Sequence, residues 1–310
     1  MYKKNVNIVL LNYNGKQLLE KYLPSVVEAS KNSAHHCTVS VIDNKSSDSS
    51  VDFLRKNFPD VTIYEAKENR VLCSFNDYLN IIADEIVIFL NTDIRVDPYF
   101  VDPLIKHFDD KDVLFVAPKE LSMKGKYQGN LNRLSFRLGL ISTVVQDKKY
   151  DVPQYDASVH GGAFDRAKFL YLGGYDDLYL PGIVEDLDLC YRGWKHGWKG
   201  IYEPESFYYH EGSTSFKATY GNRVKTLLAY RNTFLFFWKN VTSKRMILMH
   251  IISMPFLFII NILRARWLFI KGFFLASARL PEALKRRRAV ARQFNITDEE
   301  VMRKTQGDFS

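Results

Sequence analysis

Short apolar runs alternate with stretches of helical spacing through the first 90 residues, and this alternation limits the chain to a few folds. The apolar runs cover residues 6–11, 38–42, 61–64 and 85–90, and helical spacing covers residues 16–30, 51–57 and 74–83. Strands that alternate with helices predict right-handed βαβ units and a mostly parallel sheet. Ligands of such sheets collect at the carboxyl ends of the strands. Asn12, Asp43 and Asp93 follow strand ends and are therefore candidates for a binding site.

Missing sequence patterns argue against several classes of protein. The chain has neither a G-x-G-x-x-G nor a P-loop pattern, which argues against dinucleotide oxidoreductases and P-loop phosphotransferases. Cys37, Cys73 and Cys190 lack the spacing of a disulfide framework or a zinc site, and we interpret them as small buried side chains in a reducing cytoplasm. The N-terminus carries no secretory apolar region, so we expect this part of the chain to stay in the cytoplasm.

Charge is distributed unevenly along the chain. Residues 1–216 contain 25 Lys or Arg and 30 Asp or Glu, a net charge of −5. Residues 217–292 contain 16 basic residues and the single acid Glu282, a net charge of +15, and residues 293–310 carry −2. The basic segment is also the most apolar, so an anionic lipid surface explains it better than nucleic acid does. A nucleic-acid surface would interleave its basic residues with polar and aromatic ones.

Two carboxylates at strand ends suggest a nucleoside-diphosphate site. Asp43 is followed by a serine-rich turn and is suited to accept hydrogen bonds from a base or a ribose hydroxyl, although a helix-capping turn explains the pattern equally well. Asp93 stands at the tip of the apolar run 85–90. Mg²⁺ or Mn²⁺ held between one carboxylate and a diphosphate needs little more from the protein, and a capping residue is again the alternative.

Residues 160–192 carry the densest group of motifs. They are His160-Gly161-Gly162-Ala163-Phe164, Gly173-Gly174-Tyr175-Asp176 and Glu185-Asp186-Leu187-Asp188-Leu189-Cys190. Acids directly before an apolar stretch predict a loop that leads into a helix, with Leu189 and Trp194 in the core. Three carboxylates within four residues repel one another and indicate a cation or an acid–base task; solvated acids at a helix N-terminus are the alternative. His210 follows another strand-like run and is either a metal ligand or a structural histidine.

In their order these motifs resemble glycosyltransferase family 2, and within it the rhamnosyltransferase-like branch. The resemblance covers about residues 5–215. It rests on Ile8-Val9-Leu10-Leu11-Asn12-Tyr13-Asn14, Val41-Ile42-Asp43-Asn44-Lys45-Ser46-Ser47-Asp48, Phe89-Leu90-Asn91-Thr92-Asp93, Gly161-Gly162-Ala163-Phe164, the two later motifs above, and Tyr209-His210-Glu211-Gly212. Each block is common alone, whereas seven in this order are specific.

The resemblance implies an α/β fold of the GT-A type and an inverting transfer from a nucleoside-diphosphate sugar. It assigns the nucleobase pocket to Asp43, with Asn12 and Tyr13 lining it. Asp93 corresponds to the acid of the family's Asp-x-Asp motif that binds a divalent cation, Mn²⁺ or Mg²⁺. Asn91 stands in place of the first acid of that motif and is expected to contact the donor. His210 corresponds to the histidine that completes the metal site in some members.

The resemblance also assigns the chemistry. Asp186 matches the catalytic base, and Arg192 is expected to contact the donor diphosphate. Asn69 lies in the donor loop, where Val71 and Leu72 replace the Gly-Phe that relatives usually carry, so we expect this loop to differ. We place the acceptor at Gly161, Gly162 and Glu185.

Residues 246–263 form an apolar stretch near the lower limit for spanning a bilayer. At about 100° per residue, the polar residues of this stretch and its continuation fall on one side. They are His250, Ser253, Asn261, Arg264, Lys271 and Arg279. We interpret this stripe as the water-facing side of an interfacial helix, with a membrane span and a buried core helix as alternatives. The basic run 285–288 would add attraction to anionic lipid.

These inferences divide the chain into three parts. We expect a GT-A catalytic domain at 1–215, with nucleotide-sugar binding in 1–100 and the acceptor and catalytic half in 101–215. A basic, amphipathic, membrane-associating helical segment is expected at 216–292 and a polar tail at 293–310.

The expected function is transfer of a sugar, with rhamnose as one candidate, in cell-surface polysaccharide synthesis. The expected acceptor is a glycan or a polyprenyl-diphosphate-linked glycan. We expect a cytoplasmic protein bound peripherally to the anionic inner face of the cell membrane, without nucleic acid and with the oligomeric state open. A non-catalytic sugar-nucleotide-binding or scaffold protein on the same fold is the alternative.

Overall fold

The computed structural model describes residues 2–146, 150–212 and 214–307, and for residues 214–219 it describes the backbone alone. The strands are β1 (Asn5–Asn12), β2 (His36–Asp43), β3 (Thr62–Glu65), β4 (Ile86–Asn91), β5 (Ile94–Val96), β6 (Val113–Ser122), β7 (Tyr127–Gly129), β8 (Asn132–Arg137), β9 (Leu140–Val145), β10 (Gln154–Tyr155), β11 (Gly162–Asp165) and β12 (Lys199–His210).

The helices follow the same chain order. They are α1 (Lys16–Asn32), α2 (Ser50–Asn57), α3 (Ser74–Leu79), α4 (Val101–Ile105), α5 (Arg166–Tyr171), α6 (Glu185–His196), α7 (Thr214–Asn240), α8 (Lys244–Leu263), α9 (Trp267–Ala278), α10 (Leu280–Val290) and α11 (Asp298–Lys304). Short 3₁₀ helices cover Val71–Cys73, Lys106–Asp109, Asp177–Tyr179 and Ala291–Gln293. Helix α7 is kinked at Gly221, whose φ is +74°.

A ten-stranded mixed sheet forms the centre of the described chain. Its strands run in the order β10-β12-β6-β11-β4-β1-β2-β3, with β5 beside β12 and β7 beside β6. Strands β3, β2, β1 and β4 are parallel neighbours, as the alternating sequence pattern predicts. Strand β11 lies antiparallel between β4 and β6. The α/β class predicted from the sequence is therefore confirmed.

The directions of the strands bring several strand ends together. Because β11 is antiparallel to both β4 and β6, those two strands share one direction. Strand β12 runs parallel to β6. The carboxyl ends of β2, β1, β4, β6 and β12 therefore meet at one edge of the sheet, where β11 begins. We call this edge the carboxyl edge.

The central strands are apolar throughout because helices cover both faces of the sheet. In β1, Ile8 and Leu10 belong to one buried cluster and Val9 to the other, and all three side chains are inaccessible to solvent. This burial explains why the sequences of β1 and β4 are mostly apolar.

Helix α7 is part of the same core. Its residues Phe234, Leu235, Phe236 and Phe237 are at most 2% exposed and pack in the cluster that contains Phe89 of β4. The boundary predicted after residue 215 therefore does not mark a break in packing.

His250 and Asn261 of the predicted polar stripe face the protein, which corrects the expectation that they face water, whereas Arg264 and Lys271 of the same stripe are exposed. His250 and Asn261 are both 6% exposed. His250 Nδ1 lies 2.8 Å from the carbonyl oxygen of Gly139, at the turn between β8 and β9, and its Nε2 accepts a hydrogen bond of 3.1 Å from Trp238 Nε1. Buried polar groups need such partners, and the protein supplies them.

The opposite side of α8 and part of α9 is apolar and exposed. We call it the apolar face; its residues are Leu248, Ile251, Ile252, Phe256, Ile259, Trp267 and Phe274, each between 52% and 66% exposed. Among the described helices, α8 is long and apolar enough to cross a membrane by length and composition. The amphipathic pattern recognised in the sequence is therefore present, with the apolar side exposed, and the membrane location stays a prediction.

Candidate active site

The turns after β1 and β2 bring Asn12 and Asp43 together at the carboxyl edge. The two residues are register partners, and Asn12 Nδ2 donates a hydrogen bond of 2.8 Å to Asp43 Oδ1. Ser46 donates to both oxygens of Asp43, from its hydroxyl at 2.6 Å and its backbone N–H at 2.9 Å. Asp43 therefore caps its own turn, as the alternative interpretation proposed. Beside it, Tyr13 is 47% exposed, which leaves its ring surface open to a ligand.

The turn after β4 contacts the turn after β1. A Cβ atom on Gly15 would lie 2.5 Å from Asn12 Oδ1 and 3.3 Å from the Thr92 hydroxyl, so glycine is needed for this approach. Asn91, the residue in place of the first family acid, is exposed at the end of β4. Asp93 follows and is 4% exposed.

Strand β12 carries His210 to the side of Asp93. The imidazole Nε2 lies 3.2 Å from Asp93 Oδ2, and Nδ1 lies 2.8 Å from Glu120 Oε1 of β6. Burial by itself would lower the pKa of His210, but the bonds to the two carboxylates outweigh it and raise the pKa to about 10.

Asp93 and His210 offer the ligand types that a divalent cation requires. In metal sites a second carboxylate often holds the far nitrogen of a ligating histidine, and Glu120 occupies that position here. No group of three or more His, Cys, Asp or Glu side chains in the described part of the chain has the geometry of a complete metal site. A cation bound at this pair would need further oxygen ligands, such as those of a diphosphate.

His160 and Asp186 form a second charged pair at the carboxyl edge. His160 lies two residues before β11, whose first residue, Gly162, is paired with Phe89 of β4. Its Nδ1 lies 2.8 Å from Asp186 Oδ2. Surrounding protein atoms would lower the pKa of this histidine, and the Asp186 carboxylate more than compensates and raises it to about 9. The ring is nevertheless accessible, because 64% of its side chain is exposed.

Asp186 itself is almost buried at the first turn of α6. Its residue exposure is 8%. Burial and then the Asp186 charge raise the pKa of the neighbouring Glu185 well above its usual range. The same two causes raise the pKa of the Tyr175 hydroxyl. Asp186 is therefore a nearly buried carboxylate that is bonded to His160 through Oδ2 and lies close enough to the Tyr175 hydroxyl for a hydrogen bond to contribute to the raised pKa of that hydroxyl.

Gly161 and Gly162 permit close backbone approach. A Cβ atom on Gly162 would lie 2.5 Å from the Val116 carbonyl oxygen, and one on Gly161 would lie 3.2 Å from that of Phe89. Packing within the sheet thus explains both glycines, and their predicted contact with an acceptor stays a prediction.

Arg192 does not have the surroundings that its predicted contact with the diphosphate requires. It is 2% exposed. Its Nε donates to Asp188 Oδ2 at 2.8 Å, and its other nitrogens donate to the carbonyl oxygens of Leu172 and Gly174. Asp188 lies four residues before Arg192 in α6, the spacing at which side chains of a helix meet, so its carboxylate occupies this guanidinium.

The donor loop has an unusual backbone conformation at Val71, one of the two positions at which it departs from the family pattern. Val71, where relatives usually carry glycine, has a φ of +52°, a conformation that glycine adopts without strain. Asn69 Oδ1 accepts a hydrogen bond of 2.9 Å from the Val71 N–H and so supports this turn. A contact between Asn69 and the donor stays a prediction.

The site residues thus gather at the carboxyl edge through a series of contacts. Asn12 bonds to Asp43, and the turn after it packs through Gly15 against Thr92, the residue before Asp93. Glu120 bonds to His210 and its charge also contributes to the raised pKa of His160. Sequence reasoning missed Glu120, which lies in no motif, and gave His160 no role although it directly precedes the Gly161-Gly162 pair.

Comparisons with known proteins agree with this geometry. A family model described as glycosyl transferase family 2 matches residues 7–169. A search among curated proteins finds no match.

Two solved structures are similar in fold. One is the crystal structure of GalNAc-T7 with UDP, GalNAc and Mn²⁺, at 15% identity and a TM-score of 0.55, covering 81% of this chain and 54% of that one, so this chain spans about half its length. The other is the mannosyltransferase PcManGT from Pyrobaculum calidifontis in complex with GDP-Man and Mn²⁺, at 15% identity and a TM-score of 0.54, covering 99% of this chain and 85% of that one. The predicted GT-A fold is confirmed by these likenesses.

Proposed function

The chain belongs to glycosyl transferase family 2, and on that premise we propose that it transfers a sugar from a nucleoside-diphosphate sugar to an acceptor hydroxyl with inversion. The observation that carries the proposal is the Asp186 carboxylate at the carboxyl edge, which is 8% exposed and whose Oδ2 lies 2.8 Å from Nδ1 of the largely exposed His160. A carboxylate held beside an accessible imidazole can take the proton of an acceptor hydroxyl.

Asp186 acts as the general base. The acceptor hydroxyl gives its proton to the carboxylate while its oxygen bonds to the anomeric carbon of the donor sugar. The bond from that carbon to the diphosphate oxygen breaks, and the nucleoside diphosphate leaves with the electron pair. General-base assistance of this kind contributes about 10²–10⁴-fold in rate.

Asp93 and His210 would hold a divalent cation, Mn²⁺ or Mg²⁺, with the donor diphosphate supplying further oxygen ligands. The 3.2 Å approach of a carboxylate to an imidazole, with Glu120 on the far nitrogen, supports this assignment. Both similar solved structures contain Mn²⁺ and a nucleotide or nucleotide sugar. Such a cation would supply stabilisation of the negative charge that develops on the leaving diphosphate. Asn12, Tyr13 and Asp43 form the pocket for the nucleobase.

Substitution of Asp186 tests the reaction. Asp186→Asn should abolish sugar transfer, because the amide cannot accept the proton, while nucleotide affinity stays within a few-fold of the unmodified protein. A thermal-shift screen of sugar nucleotides with and without Mn²⁺, beginning with rhamnose donors, identifies the donor to use. Full activity of the Asn variant with that donor would remove Asp186 from the mechanism.

The acceptor is a glycan linked to a polyprenyl diphosphate, and the protein reaches it while bound peripherally to the inner face of the cell membrane. The apolar face of α8 and α9 supports this location, since apolar patches of such extent mark interaction surfaces. Lys244, Arg245, Arg264, Arg266 and Lys271 flank the face, are exposed and form no ion pair with described residues. Free cations beside an apolar face match the headgroups and acyl chains of anionic lipid.

Vesicle flotation tests the membrane surface. We expect binding to vesicles of phosphatidylcholine with phosphatidylglycerol, and weaker binding to phosphatidylcholine alone. Ile252→Asp should reduce binding because it places a charge in the apolar face. Ile81→Asp is the matched control, since Ile81 is 67% exposed and Ile252 is 66% exposed, but Ile81 lies after α3. Equal flotation of the two variants, or none by the unmodified protein, would reject this surface.

A further inference from the structure

The loop directly before Asp186 has an unusual backbone. Gly182, Ile183 and Val184 have φ values of +141°, +74° and +82°, and α6 begins at the next residue, Glu185. Positive φ is uncommon at β-branched residues and strains the backbone. Such a conformation persists where surrounding groups hold it. In this protein, two side chains of α7 hold the loop.

Asn232 of α7 binds the carbonyl groups of this loop. Its Nδ2 lies 2.9 Å from the carbonyl oxygen of Tyr179, 2.8 Å from that of Gly182 and 2.7 Å from that of Ile183. The residue is completely buried. Because an amide nitrogen has two hydrogens, the three acceptors share them.

Arg231 of α7 binds further carbonyl groups of the same loop. Its Nη2 donates to the carbonyl oxygens of Leu180 at 2.7 Å and Tyr179 at 3.1 Å. Its Nε donates to Asn232 Oδ1 at 2.8 Å, which fixes the orientation of that amide. Two adjacent side chains therefore bind the carbonyl groups of Tyr179, Leu180, Gly182 and Ile183.

Helix α7 also fixes the chain on the other side of Asp186. Lys239 Nζ donates to Asp188 Oδ1 at 2.7 Å and to Oδ2 at 2.9 Å, and Asn240 Nδ2 donates to Oδ1 at 2.7 Å. Asp186 thus lies between two attachments of its chain segment to α7, and neither attachment involves the β1 and β2 turns that form the nucleobase pocket.

We propose that Arg231 and Asn232 are positioning residues that hold the loop 180–184 in the conformation that aims the Asp186 carboxylate at the acceptor hydroxyl. This proposal rests on the proposed role of Asp186 as the base. Displacement of a catalytic group by about 1 Å costs on the order of 10²-fold in rate. Loss of the attachment therefore slows transfer and leaves donor binding intact.

Steady-state kinetics measure the rate of transfer, and nucleotide titration measures donor binding, so the two measurements together separate a positioning role from a role in binding. Asn232→Ala should lower kcat about 10- to 100-fold, leave the Kd for the nucleotide within a few-fold, and raise donor hydrolysis relative to transfer. Arg231→Lys keeps the charge and one donor group, so its kcat should fall less. Thr233→Ala is the control on the same helix, because the Thr233 hydroxyl donates to the Ala229 carbonyl within α7; its kcat should equal that of the unmodified protein.

Asn232→Ser and Arg231→Lys carry the test if Asn232→Ala does not fold, with cooperative thermal unfolding as the criterion of folding. Unchanged kcat in a folded Asn232 variant overturns the positioning role, and so does an equal loss of kcat and nucleotide affinity. A different outcome would refute the proposed function instead: equal transfer rates for the unmodified protein and the Asp186→Asn variant.

Discussion

At the scale of single residues, the contact between His160 and Asp186 connects the loop before β11 to the first turn of α6. His160 directly precedes the Gly161-Gly162 pair, and its Nδ1 lies 2.8 Å from Asp186 Oδ2. This pair, like that of Glu120 and His210, joins residues far apart in the chain, so residue patterns do not identify it. The pair of Asp188 and Arg192 differs, because its residues lie four apart in α6, a spacing at which side chains of a helix meet.

The pair of His160 and Asp186 should make stability depend on pH. The pKa of His160 is raised from 6.5 to about 9 by the Asp186 carboxylate. A raised pKa means that the stabilisation is complete below pH 6.5 and is lost as the pH rises through about 9. We expect the free energy of unfolding, measured with urea, to fall across this window, and by less than the full linkage because the ring is largely exposed.

His160→Gln should flatten that pH dependence. His36→Gln is the control, because His36 is an exposed histidine at the start of β2. The assigned ion pair would be contradicted if the free energy of unfolding had the same slope against pH in the unmodified protein and in the His160→Gln variant between pH 6.5 and 9.

At the scale of elements, the sequence located β1, β2, β4 and α1 within a few residues, because long periodic or apolar segments carry strong local signals. It did not locate β11, a four-residue strand that owes its place between β4 and β6 to contacts far away in the chain. Helix α8 shows a second limit. Periodicity separated its polar and apolar sides, but a pattern does not reveal which side meets protein.

The contact between the β8–β9 turn and α8 provides a prediction at this scale. Gly139 has a φ of +73°, and a Cβ atom there would lie 2.5 Å from His250 Cα. Gly139→Ala should therefore destabilise the protein through both backbone strain and a clash with a helix backbone. Gly125→Ala is the matched control, since Gly125 has a φ of +77° and no atom within 4 Å of the added Cβ.

Both variants carry the backbone strain, so the difference between their losses in the free energy of unfolding measures the clash with α8 alone. We expect Gly139→Ala to lose about 1–3 kcal/mol more than Gly125→Ala in the free energy of unfolding, the usual cost of overpacking. Equal losses would mean that the turn does not pack against α8 in solution.

At the scale of the whole molecule, the catalytic sheet and the C-terminal helices share one core. The sequence suggested a division after residue 215 because composition and charge change there. The change is real, but Phe234 and Phe237 of α7 complete the core beneath the sheet. Composition reports what a segment is made of, whereas a domain boundary depends on how few contacts cross it.

A chain that ends at residue 215 should therefore fail to fold cooperatively. It would leave Asp188 buried without Lys239 and Asn240, and removal of one partner from a buried ion pair alone costs roughly 3–5 kcal/mol, a large part of typical domain stability. Circular dichroism during thermal unfolding measures this.

Lys239→Met probes the same contact in the full chain and should lower the unfolding temperature, whereas Lys244→Met, at an exposed position, should not. A cooperative unfolding transition in the shortened chain would show that the sheet is independent of α7.

The orientation of α8 also governs how the molecule behaves once it is removed from the cell. In plain buffer, the exposed isoleucine, leucine and phenylalanine side chains of this helix favour contact between molecules. We expect a mild detergent to cover them and to keep a purified preparation dispersed.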